Sequence, residues 1–362
     1  VQASVPSRLT APAHTSSPLA RYLLGVYAVL IVYGSLYPWL GWRSHGVHPF
    51  AFFSEPWPRY RTWFDIVTNF IAYVPLGGLA VAALLPMRRW LAFAAAVAAG
   101  AALSFCMESL QTYLPTRVSS NLDFALNSTG ALLGALLGVW LAPSALAAGG
   151  VRALRAHLFR RGRRADAGLI LLALWLLTQL NPVTLLFGTG DLRELIGALP
   201  TKPYPPEVFV RLEAVVVATN LTATGLIMAH LISPARKRWP LVLGLLGAAL
   251  LVRSVAFAVL FEPNEALSWF TPGAAAGLAL GTVACLLVVR ALPRYELGIA
   301  AVCISIATAV VNTGPENPYL AESLAAWRQG QFLNFNGLTR ALSAVWPFLA
   351  MIYVVRRERR AS

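Results

Sequence analysis

Apolar residues run through this sequence in stretches of about twenty, broken by short polar or basic connections, from about residue 20 almost to the C-terminus. Crossing ~30 Å of hydrocarbon takes about 20 helical residues. The runs therefore predict spans near 20–40, 66–86, 90–112, 124–142, 167–188, 209–232, 239–261, 268–290, 295–312 and 338–355. The fold class that follows is all-α, a polytopic integral membrane helical bundle of about ten transmembrane helices, with the last two runs the least marked.

Charge adds a direction to these spans. Arg88 and Arg89, then Arg152, Arg155, Arg160, Arg161, Arg163 and Arg164, then Arg236, Lys237 and Arg238, then Arg290 and Arg294, and finally Arg356 to Arg360 fall in every second connection. The intervening connections carry mixed charge, as at Asp191, Arg193, Glu194 and Lys202, at Glu262 and Glu265, and at Glu316, Glu322 and Arg328. The positive-inside rule then puts the basic connections and both termini in the cytoplasm, with the lipid bilayer of the cytoplasmic (inner) membrane as the main partner.

Composition agrees: 57% of residues are hydrophobic and 12% charged, with a mean hydropathy of +0.63, where a soluble domain is about a quarter charged. The net charge of +14 reports orientation in the bilayer, so no nucleic-acid partner is expected. Cys106, Cys285 and Cys303 fall inside spans without metal-ligand spacing and read as small core residues, and no metal site is expected from them. Residues 1–18, rich in Pro, Ser, Thr and Ala, read as a disordered tail.

Glycine recurs at every fourth position in two spans, at Gly130, Gly134 and Gly138 and at Gly273, Gly277 and Gly281. Such stripes let helix backbones approach closely, either within the bundle or across an oligomer. The stretch Asp65 to Trp90 also overlays Glu213 to Trp239 with one insertion, placing Asp65 on Glu213, Gly77 on Gly225, Pro86 on Pro234, and Arg88, Arg89 and Trp90 on Lys237, Arg238 and Trp239. The first and fifth spans also both end near a proline, Pro38 and Pro182. The expected organisation is a four-span unit over 19–145, a basic cytoplasmic linker over 146–166, a degenerate second four-span unit over 167–290 in the same orientation, and a two-span appendage with a basic tail over 291–362.

Polar groups inside a membrane are costly, so their placement is the functional clue. Asp65 and Asn69 share a face at the start of the second span, Glu108 and Gln111 lie three apart at the end of the third, Arg117 follows in the next connection, and Asp123 and Asn127 repeat the four-residue spacing at the start of the fourth. All seven converge on the end opposite the basic connections, and they are the candidate ligand-binding residues.

The segments DIVTNFIAYVPLGG from Asp65 to Gly78 and ESLQTYLPTRVSSNLDFALNSTGALLG from Glu108 to Gly134 resemble the VanZ-like family, over roughly the first 150 residues. The motif is a Glu and Gln pair, an Arg, and an Asp four before an Asn leading into a glycine-rich helix. The family is named for a membrane protein associated with low-level resistance to the glycopeptide teicoplanin. The resemblance thus implies a membrane fold and a cell-envelope role more than a chemistry, and names no cofactor.

Three functions fit these residues. The cluster binds an envelope component, such as a lipid-linked precursor or a glycopeptide, with Arg117 on phosphate or carboxylate. Alternatively, Asp65, Glu108 or Asp123 acts as a general base or holds a divalent cation in a membrane enzyme. Parallel repeats with midspan Asn220 and Arg253 instead suggest a transporter. Against all three stands a purely structural network, with Asp65 and Asp123 capping helices and Arg117 neutralising Glu108. Arg253 likewise pairs with Glu213 on this reading. His45 and His48 read as solvated loop residues, and the sequons at Asn127 and Asn220 lie within spans where no glycan is expected.

Overall fold

The computed structural model describes residues 18–59, 62–85, 87–141, 151–193, 205–261, 263–314 and 333–356. The N-terminal tail up to residue 17, most of the acidic connections expected to face outward, and the tail beyond 356 lie outside the described residues. The chain divides into two compact units, Val1–Val151 and Arg152–Ser362.

The first unit contains α1 (Pro18–Leu36), α2 (Trp63–Leu84), α3 (Arg89–Gln111) and α4 (Asn121–Leu141). The second contains α5 (Val151–Leu158), α6 (Arg163–Thr178), α7 (Pro206–Leu231), α8 (Arg238–Leu260), α9 (Pro272–Ala291), α10 (Glu296–Thr313) and α11 (Leu333–Val355). Among the described residues, nine helices are long and apolar enough to cross a membrane. The all-α membrane bundle is therefore the observed architecture, and the only described extended pairing is the bridge between Phe159 and Ile232.

Both glycine stripes are used inside their units. A Cβ at Gly130 or Gly134 would run into the backbone of α2 at Phe70 or Val74, and one at Gly138 would touch Gly78 and Val81. In the second unit Gly273, Gly277 and Gly281 lie equally tightly against α7 at Val210, Ala214 and Ala218. The stripes thus seat α4 on α2 and α9 on α7. Of the two uses left open for them, packing within the bundle is the one observed.

The fifth span departs from expectation. A helix to 188 is predicted, yet α6 has 16 residues and stops at Thr178. Asn181 and Pro182 break it, the Asn181 side chain accepting from Val183 N at 3.0 Å, while Phe187 and Gly190 take positive φ. Irregular backbone at membrane depth must find partners within the protein. Arg253 of α8, fully buried, donates to the carbonyls of Asn181, Pro182 and Thr184. Gln179 accepts from Phe187 N at 3.3 Å, Ser343 O accepts from Gly190 N at 2.8 Å, and Asn312 donates to Gly190 O at 2.6 Å. Since α6 begins beside the end of α7, where Arg160 N reaches Leu231 O, and Gly190 meets the far end of α10, helix and irregular segment together cross the unit.

Within the expected linker over 146–166, α5 fills 151–158, and Arg155 pairs with Asp166 in the first turn of α6.

Candidate functional site

The site lies at one end of the first unit, where α1 and α3 finish and α2 and α4 begin. Pro38 cannot continue α1, so the helix ends with carbonyls lacking partners of their own. Gln111 donates to Ser35 O at 2.9 Å, and Arg117 donates to Gly34 O at 2.6 Å and Tyr37 O at 3.1 Å. Arg117 is thus a clamp on the end of α1. Burial pushes its guanidinium down to about 10, against the opposing pull of Glu108 and Asp123.

The two helix starts are built alike. Thr62 caps α2, accepting from Asp65 N at 3.1 Å while donating to the Asp65 carboxylate at 2.6 Å. Ser120 caps α4, accepting from Leu122 N and Asp123 N at 3.2 and 3.4 Å. The expectation that Asp65 and Asp123 are themselves the caps is therefore corrected: the hydroxyls three residues earlier cap, and each carboxylate sits in the first turn, where the helix dipole favours it. The spacing of a hydroxyl three before an acid was legible at both places.

The three carboxylates form a gradient of depth. Asp65 is exposed, Asp123 half-buried, and Glu108 only 2% exposed, accepting from Ser120 N at 2.8 Å. Asp123 lies within electrostatic reach of both Asp65 and Glu108, and the Asn69 amide faces it. One turn deeper, Asn127 donates to Ser104 Oγ at 3.0 Å in a buried layer.

Among the described residues Arg117 makes no direct ion pair with Glu108, because its donors go to the carbonyls of α1. The seven predicted residues therefore gather at one end but divide in role. Glu108, Gln111, Arg117 and Asn127 tie helices together, Asn69 joins α2 to Asp123 of α4, and Asp65 and Asp123 form the more exposed acidic edge, the mouth of the cluster.

Thr62, Ser104 and Ser120 complete the site, though the candidate set omits them. His48 accepts from Phe50 N at 3.3 Å within a loop turn.

In the second unit Arg253 and Glu213 lie within electrostatic reach of each other, as the expected pairing requires, but among the described residues they form no direct ion pair: Glu213 accepts from Thr271, the cap of α9, at 2.6 Å, and Arg253 holds the carbonyls after α6.

The family described as VanZ/LLP1 matches residues 20–142, a segment that contains all but the first two residues of α1, the whole of α2 to α4 and the whole cluster, and stops before the second unit. No curated protein and no solved structure matches the chain.

Proposed function

We propose, taking as premise a VanZ-like segment over residues 20–142, that this segment binds the amine-bearing or otherwise cationic head of a cell-envelope or lipid-derived ligand at the outer face of the cytoplasmic membrane. One observation carries the reading. Among the described residues the cluster holds three carboxylates, and the Arg117 guanidinium donates to the carbonyls of α1. Among the described residues no cation forms an ion pair with Asp65 or Asp123, so these two carboxylates at the more exposed edge are the acceptors open to a ligand. This replaces the idea that Arg117 grips a phosphate: the acids select the ligand, and Glu108 and Arg117 hold the frame that positions them. Orientation rests on Arg88 and Arg89 at the opposite end of the unit, together with the other basic connections.

The test uses the full-length protein in lipid nanodiscs and a null strain complemented with variants. Asp123→Asn and Asp65→Asn are expected to weaken binding of an amine-headgroup lipid and to alter glycopeptide susceptibility or envelope-lipid composition, while leaving the melting temperature near that of the wild type. Full complementation and undiminished binding by both variants would overturn the reading.

The second unit is, on the same proposal, a divergent copy of the first. Support comes from Gly77, which meets α4 at Ala131 and Ala135, and its aligned partner Gly225, which meets α9 at Cys285. An experimental structure in which α2 to α4 and α7 to α9 fail to superpose would remove the copy and leave the acidic mouth untouched.

A further inference from the structure

The connection from α1 to α2 is unusually aromatic for a segment facing water. Its polar stretch from Arg43 to His48 is exposed, and a short 3-10 turn at Ala51–Phe53 follows. Phe53 at its end is 60% exposed, Trp57 beyond it 59%, and Trp63 at the start of α2 82%. A soluble surface rarely leaves so much aromatic area open, whereas the headgroup layer of a bilayer favours it.

The position of the turn fixes its depth. Phe50 and Phe52 stack on Phe105 with ring centroids 5.2 and 5.6 Å apart, and Phe53 lies 5.7 Å from Phe124. Phe105 precedes Gln111, the last residue of α3, by six residues, which at ~1.5 Å per residue is about 9 Å below the helix end. The turn therefore folds back along the flank of α3 and α4 instead of standing above them. One backbone bond and one side-chain bond hold the connection there: Arg43 N donates to Tyr113 O at 3.0 Å, and Asn121 Nδ2 donates to Glu55 O at 2.5 Å. Phe124 is next to Asp123 in sequence, so the aromatic flank adjoins the acidic mouth.

We infer that this connection is a membrane-inserted rim, its aromatic turn lying in the headgroup layer beside Asp123, so that the ligand is a bilayer lipid with an amine headgroup that reaches the mouth laterally from the leaflet. The inference rests on the acidic mouth as the binding site and adds the source of the ligand and its route. Aromatic side chains meet the acyl boundary, and the amine meets the carboxylates.

Two measurements test it on the full-length protein in nanodiscs of phosphatidylethanolamine and phosphatidylglycerol, with Cys106, Cys285 and Cys303 replaced by serine. Nitroxides attached through Phe53→Cys, Trp57→Cys and Gly46→Cys report depth by collision with oxygen and with a water-soluble nickel chelate. Oxygen collisions dominate at positions 53 and 57 and nickel collisions at 46; nickel dominance at all three overturns the insertion. In the second measurement, spin-labelled phosphatidylethanolamine shows an immobilised component that Asp123→Asn removes, Phe53→Ser with Trp57→Ser reduces, and Trp57→Phe retains. If soluble phosphoethanolamine competes as well as the lipid does, the lateral route is wrong while the acidic mouth stands. If no amine binding depends on Asp123, the mouth itself fails and this inference fails with it.

Discussion

A guanidinium aimed at backbone carbonyls is one device that recurs at residue scale. Arg117 holds Gly34 and Tyr37, and Arg253 holds Asn181, Pro182 and Thr184, in each case beside the proline that ends a helix. Removing such a donor leaves acceptors without partners, at about 1–3 kcal/mol for each buried group. Arg117→Ala is expected to lower stability by about 1–3 kcal/mol in detergent melting, and Arg117→Lys to recover only part, since an ammonium cannot reproduce the fork. Thr62→Ala should cost about 1 kcal/mol through the lost cap of α2, read by the same melts.

The glycine stripes decide how close two elements come. Gly134 faces the Val74 carbonyl directly, so a side chain there must push α4 away from α2. Gly134→Leu is expected to destabilise the first unit by about 1–3 kcal/mol or more through overpacking. The control is Gly244→Ala on α8, where nothing lies within 4 Å of an added Cβ; its melting temperature should match the wild type, within the roughly 1 kcal/mol that helix propensity spans. Equal effects at both positions would show that tight packing of the stripe is not what holds α2 and α4.

Across the whole molecule, the apolar clusters respect the division into units. The cluster around Trp175, Leu226 and Trp346 lies entirely in the second unit, while those around Tyr73, Ala96 and Met107 lie in the first. Residues 1–151 produced alone are accordingly expected to insert as a folded four-helix bundle and to keep Asp123-dependent ligand binding, as followed by gel filtration and nanodisc binding. In the full chain, Arg253→Met should destabilise the second unit by about 3 kcal/mol or more, with that binding preserved.

Periodicity and charge fixed in advance where most helices run, because a bilayer demands about 20 apolar residues of any helix that crosses it. The same lengths made α10 and α11 readable, although their runs are the least marked. The meeting of Asp65, Glu108, Arg117 and Asp123 was legible too, since alternating helices return their ends to the same side. What each side chain touches was not legible. Nothing along the chain says that Arg117 turns to α1 rather than to Glu108, because that choice depends on which carbonyls are left open nearby. Apolar content likewise cannot show where α6 stops: residues 179–190 are greasy enough to be helix, and partners from other helices, Arg253, Asn312 and Ser343, allow them to be something else. Composition records what the membrane requires of every segment, whereas hydrogen-bond partners between segments are set by packing in three dimensions.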